Sequence, residues 1–135
     1  MYTNIIVAVS LDHSPDGNKA FEIAQLLANE GAKITALHVI EEIPSYVANQ
    51  IPEEVLANRK TEAQAELKAE IGDLPGVETV VVHGHAGRTI VDWADQTEAD
   101  CVIVSSHRPG LQDYLLGSTA NRVVRHAKCA VHVIR

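Results

Sequence analysis

The chain has 135 residues, 46% of them hydrophobic, which is enough apolar material to bury one core and too little length for two domains. Its formal net charge of −7 opposes nonspecific attraction to nucleic acid or anionic lipid, since both need clustered Lys and Arg. No apolar run approaches bilayer-spanning length, and Met1-Tyr2-Thr3-Asn4 leads straight into a strand without a basic segment or cleavage site, so a cytoplasmic protein is expected.

Asn4 to Val9 is a continuous apolar run, suited to a parallel strand covered on both faces. Ser14-Pro15 supplies an N-cap and first-turn proline, Ala20, Ile23, Ala24 and Leu27 recur at helical spacing, and Gly31 is expected to stop the helix. Lys33 to Ile40 reads as a second strand, and Glu41 to Ile51 as a proline-containing connector. Helix formers then run from Glu53 to Ile71 with a thin apolar stripe through Val55, Ala63, Leu67 and Ile71, ended by 73–76.

Val77 to His83 is a third strand, Arg88 to Gln96 a helix with Ile90, Val91 and Ala94 inward, and Asp100 to Ser105 a fourth strand. A helix from about Ser118 to Ala127 and a strand from Ala130 to Ile134 close the chain. Alternating strands and helices predict an α/β fold: a five-stranded parallel sheet with right-handed crossovers and helices on both faces. Cys101 and Cys129 sit in apolar surroundings at strand starts and read as reduced core thiols.

In such sheets ligands bind outside the carboxyl ends of the strands, near the point where strand order reverses. Residues 10–12, 39–41, 83–87 and 105–110 all follow strand ends, on the edge where Gly117-Ser118 opens the last helix. The unpaired amides of a first helical turn, its partly positive end and a glycine admitting close approach make an anion site there, although an ordinary helix cap gives the same pattern.

Ser105-Ser106-His107-Arg108, followed by Leu115-Leu116-Gly117-Ser118, resembles the Gly-x2-Gly-x9-Gly-Ser/Thr signature of adenine-nucleotide-binding members of the universal stress protein family. Ile5-Ile6-Val7-Ala8-Val9, the strand end at Leu37-His38-Val39, the Gly84 turn and the segment 124–127 extend the resemblance over essentially the whole chain, closest to the short F/G-type subgroup. Three departures stand out. Ser105 and Arg108 occupy the first two glycine positions, eight residues separate Arg108 from Gly117, and Ser10 stands at the usual aspartate position with Asp12 two further on.

The resemblance implies an open, doubly wound sheet of strand order 3-2-1-4-5, ATP binding and a homodimer formed through the C-terminal strand. It places Ala8 and Val9 beside the adenine and the Val39 backbone at its edge. Ser105 and Arg108 then lie near the ribose and first phosphates, Gly117, Ser118 and Thr119 around the outer phosphates, and Ser10, Gly84 and His107 are counted among the nucleotide-binding residues. Asp12 stands where it can meet Mg2+, with a turn role as the alternative. Arg108 is read as a phosphate clamp, against a solvated loop arginine.

His13, His38, His83, His85 and His107 share the strand-end edge, but loop histidines that merely share an edge seldom form a tetrahedral site, so no metal site is assigned. The chain contains no Gly-x4-Gly-Lys-Ser/Thr, so binding with at most slow hydrolysis is expected, and no catalytic residue is assigned. The reading is a regulatory module in which bound ATP favours one arrangement of the loop from Arg108 to Tyr114 and alters contacts with an unknown protein partner. Its competitors are an interaction protein with a closed, nucleotide-free cleft and a slow ATP hydrolase.

Overall fold

Strands without polar alternation need apolar cover on both sides, and the computed structural model, which describes residues 1–11, 16–72, 74–106 and 116–135, provides it. The strands β1 (Tyr2–Ala8), β2 (Ala28–Glu41), β3 (Val77–Gly84), β4 (Cys101–Ser105) and β5 (Ala130–Ile134) form one sheet in the order β3-β2-β1-β4-β5. Every neighbouring pair is parallel. The expected α/β fold and strand order are those observed.

Between the strands run α1 (Asp16–Leu27), α2 (Ser45–Ala48), α3 (Glu53–Ile71), α4 (Ala86–Gln96) and α5 (Ser118–His126). Two apolar clusters show which face each helix covers. Ile5, Val7, Ala36, Cys101 and Ile103 pack with Phe21 and Ala24 of α1 and with Leu67 and Ile71 of α3. Ile6, Leu37, Val102 and Val104 pack with Ile90 and Ala94 of α4 and Ala120 and Val123 of α5. Alternate residues of β1 and β4 therefore feed opposite cores, as strand geometry requires. Burying each such Ile or Val contributes about 1.5–3 kcal/mol.

Several boundaries differ from the sequence reading. The first helix ends at Leu27, before Gly31, and β2 already begins at Ala28. Gly31 has φ +76°, and the register passes from Tyr2↔Ala28 to Asn4↔Lys33, so β2 carries three more residues than β1 over this stretch. Glycine accommodates that irregularity because it lacks a Cβ. Regular pairing starts at Lys33, the expected start of the strand.

A four-residue helix, α2, lies in the connector after Pro44, where no helix was expected. The third helix ends at Ile71 with Gly72 as C-cap. Its stripe is thinner than expected, because Ala63, Leu67 and Ile71 are buried while Val55 is 51% exposed. Val91 and Trp93 of α4 are half-buried against the second cluster. The proposed Ser14-Pro15 start of the first helix lies outside the described residues.

Cys101 is buried and Cys129 half-buried, both as free thiols. They belong to opposite cores. Burial, reinforced by the neighbouring Cys129 and Asp100, pushes the Cys101 thiol up to about 11, which keeps it protonated and unreactive.

Candidate functional site

All five strands run the same way, so their carboxyl ends form one edge. Order reverses between β1 and β4. The chain leaves β1 for α1 on one face and reaches α5 on the other after β4, the point at which open α/β sheets place their ligands.

At the end of β1 the Val9 N–H donates to the Leu37 carbonyl at 2.9 Å. The Val9 carbonyl faces Nδ1 of His38 at 2.8 Å. Ser10 beyond it is exposed. At the end of β4, Ser106 is buried and ties that strand to β5: its N–H and its hydroxyl both donate to the Ile134 carbonyl, at 2.9 and 3.2 Å.

Of the helices that begin on this side, α4 and α5 differ in their first turns. Ala86 N–H of α4 donates to Oε1 of Glu41, the last residue of β2, at 3.2 Å. A carboxylate thus already sits at the positive end of α4. The start of α5 is capped by Gly117, which is buried and has no side chain to accept an amide. Its carbonyl takes the Asn121 N–H at 2.9 Å, the first bond of the helix. Ser118 is exposed, Thr119 is half-buried and the first turn holds no acidic residue. Among the described residues, no carboxylate is set against the start of α5 as Glu41 is against that of α4.

Among the residues expected to line the site, Ala8, Val9, Ser10, Val39, Ser105, Gly117, Ser118 and Thr119 come to this edge by topology. Val39 is buried and Ser105 exposed. Gly84 ends β3, two strands from β1 and so about 10 Å to the side. It also has a local reason to be glycine: φ is +150°, and a Cβ would overlap the Thr89 hydroxyl oxygen. Asp12, His107 and Arg108 lie outside the described residues.

His83 and His85 are exposed, and His38 is engaged with Val9. Among the described residues no group of three or more His, Cys, Asp or Glu is placed to hold a metal ion. A cavity of about 310 Å³ opens at the opposite edge, between the end of α4 and the start of β5, with Val91, Ala94 and Cys129 in its wall. The charged pair on its rim, Asp95 and Lys128, is 3.5 Å apart and engaged with itself.

Sequence reasoning missed Glu41 and gave His38 no role beyond a weighed metal ligand. The signal for His38 was a polar residue interrupting Ala36-Leu37-x-Val39-Ile40, which asks for a partner once the strand is buried.

Residues 1–135, the entire length, match the universal stress protein family. The chain belongs to that family. Universal stress protein G of Salmonella typhimurium is 30% identical over 142 residues, covering all of both chains. Among solved structures, universal stress protein UspA from Lactobacillus plantarum superposes with a TM-score of 0.76 at 29% identity, over 99% of this chain and 98% of that one. A universal stress protein solved in complex with cAMP shares the fold at a TM-score of 0.63 and 24% identity, over 99% of this chain and 97% of that one. The strand order of this universal stress protein reverses between β1 and β4. Among the described residues of this one, no helix is long and apolar enough to cross a membrane.

Proposed function

We propose that this universal stress protein binds an adenine nucleotide, ATP, at the carboxyl ends of β1 and β4, and acts in the cytoplasm as a dimeric regulatory module that binds without turning over. The observation that supports this reading most is the first turn of α5: amides at a positive helix end, capped by a buried glycine, beside the strand-order reversal. In this reading Gly117, Ser118 and Thr119 cradle the outer phosphates. Ser10, Ser105, His107 and Arg108 meet the ribose and inner phosphates, with Gly84 at the flank. Ala8, Val9 and the Val39 backbone receive the base, and Asp12 meets Mg2+.

The nucleotide seen with a relative of the same fold fits this reading, because the place at which such sheets take ligands follows from the strand order. The base would lie against apolar strand ends and the phosphates against amides, which matches the chemistry of the two halves of ATP. Substituting Ser118→Glu puts a carboxylate where the phosphates are expected. Titration calorimetry should then show ATP affinity falling by about tenfold or more, equivalent to about 1.4 kcal/mol. Unchanged affinity would remove the phosphates from α5.

A further inference from the structure

A residue in a parallel ladder directs its N–H and C=O to one neighbouring strand, and the next residue directs them to the other. The Leu37 carbonyl accepts the Val9 N–H, so residues 37 and 39 of β2 face β1. One more rung would bring the Val39 N–H to the Val9 carbonyl. The structure instead sets Nδ1 of His38 at 2.8 Å from that carbonyl. A carbonyl only accepts, so the imidazole carries a proton on Nδ1.

This contact reaches from a β2 side chain to the chain leaving β1. The paired register of the two strands ends at Ala8↔Leu37. Val39 is only 8% exposed, and alternation along β2 turns its main-chain groups toward the β1 side, beyond that last paired rung. Buried polar groups of that kind seek a partner.

We propose that His38 is a positioning residue for the purine base: it takes the Val9 carbonyl, ends the β1–β2 ladder one rung early, and leaves the Val39 N–H and C=O as a donor–acceptor pair for the base edge. The inference rests on the nucleotide reading above and adds to it a determinant of base preference. Adenine offers an N6 amino donor beside the N1 acceptor. Guanine offers the O6 acceptor beside an N1–H donor, the reverse order, so a fixed main-chain pair tells them apart.

The test compares wild type, His38→Asn and His38→Leu by calorimetry with ATP, GTP and inorganic tripolyphosphate. Asparagine places an amide donor near the position of Nδ1, and leucine removes it. His38→Leu should lose about tenfold in ATP affinity and most of the preference for ATP over GTP, with tripolyphosphate binding unchanged, and His38→Asn should recover most of both. A merely structural role would not move the ATP-to-GTP ratio while sparing tripolyphosphate.

In the ligand-free wild type, nitrogen NMR should find the His38 ring protonated at Nδ1 and the Val39 amide exchanging faster than that of Leu37. Wild-type ATP affinity and base preference in His38→Leu would overturn the proposal. So would a proton on Nε2 alone, or a protected Val39 amide. The last two readings decide the matter even if the leucine variant fails to fold. Failure of the wild type to bind ATP at all would sink the nucleotide reading, while the ring and amide measurements would still judge the role of His38.

Discussion

Asp100 shows how one side chain at the amino edge of the sheet holds two strands together. Its carboxylate accepts the Thr3 N–H at 2.9 Å, the Thr3 hydroxyl at 3.0 Å and the Asn4 N–H at 3.0 Å, and its own N–H donates to the Asn4 carbonyl. Asn4 returns the contact by donating from Nδ2 to the Thr97 carbonyl at 2.7 Å. Burial raises the carboxyl and is the largest single influence, but the bonds from Thr3 and Asn4 together hold it below the ordinary 3.8. A depressed folded-state value means stability that is present above about 3.8 and lost as pH falls through the folded value. Asp100→Asn should therefore lower unfolding free energy at pH 7, by about 1 kcal/mol or less because the partly exposed carboxylate is screened by solvent. Denaturant melts across pH should show that difference constant at neutral pH and shrinking below pH 4; a difference independent of pH would contradict the account.

At the scale of elements, β5 is the exposed flank of the sheet, with β4 on one side only. The Ile134 carbonyl accepts from Ser106, so residues 132 and 134 face β4, and Val131 and Val133 direct their main-chain groups outward. The run Ala130-Val131-His132-Val133-Ile134 has no Lys, Glu or Pro to deter another strand. This supports the proposed homodimer, in which a second β5 meets those outward groups. Val133→Pro removes one outward donor and spares the β4 side. Sedimentation at micromolar concentration should give a dimer for the wild type and a shift toward monomer for the variant, whereas a wild-type monomer would remove the dimer. The short helix α2 and the early start of β2 follow a different logic: both are local responses to Pro44 and Gly31 that leave the sheet unchanged.

For the molecule as a whole, the fold was legible because long-range order and local signals agree. Apolar runs such as Ile5-Ile6-Val7 and Val102-Ile103-Val104 cannot alternate faces unless both are covered, and alternating helices then force parallel crossovers. The carboxyl edge of the sheet followed from that order, and the α5 start from the local Gly117-Ser118 signal. What the sequence could not show were contacts between residues far apart in the chain: Glu41 on the start of α4, His38 on the Val9 carbonyl, Asp100 on Thr3 and Asn4. Each depends on register, which no local pattern encodes. Gly84 illustrates the converse, since a residue read for its ligand has a packing reason in Thr89.

The central claim joins two places far apart in the chain, the end of β2 and the start of α5, into a single ATP site. Amide NMR of the intact protein titrated with ATP reads both at once. The account predicts that the resonances of Val39, Ser118 and Thr119 shift together and saturate at one nucleotide per chain, while those at the opposite edge around Thr3 and Asp100 stay in place. Resonances of Val39 and Ser118 that do not move at millimolar ATP would contradict it.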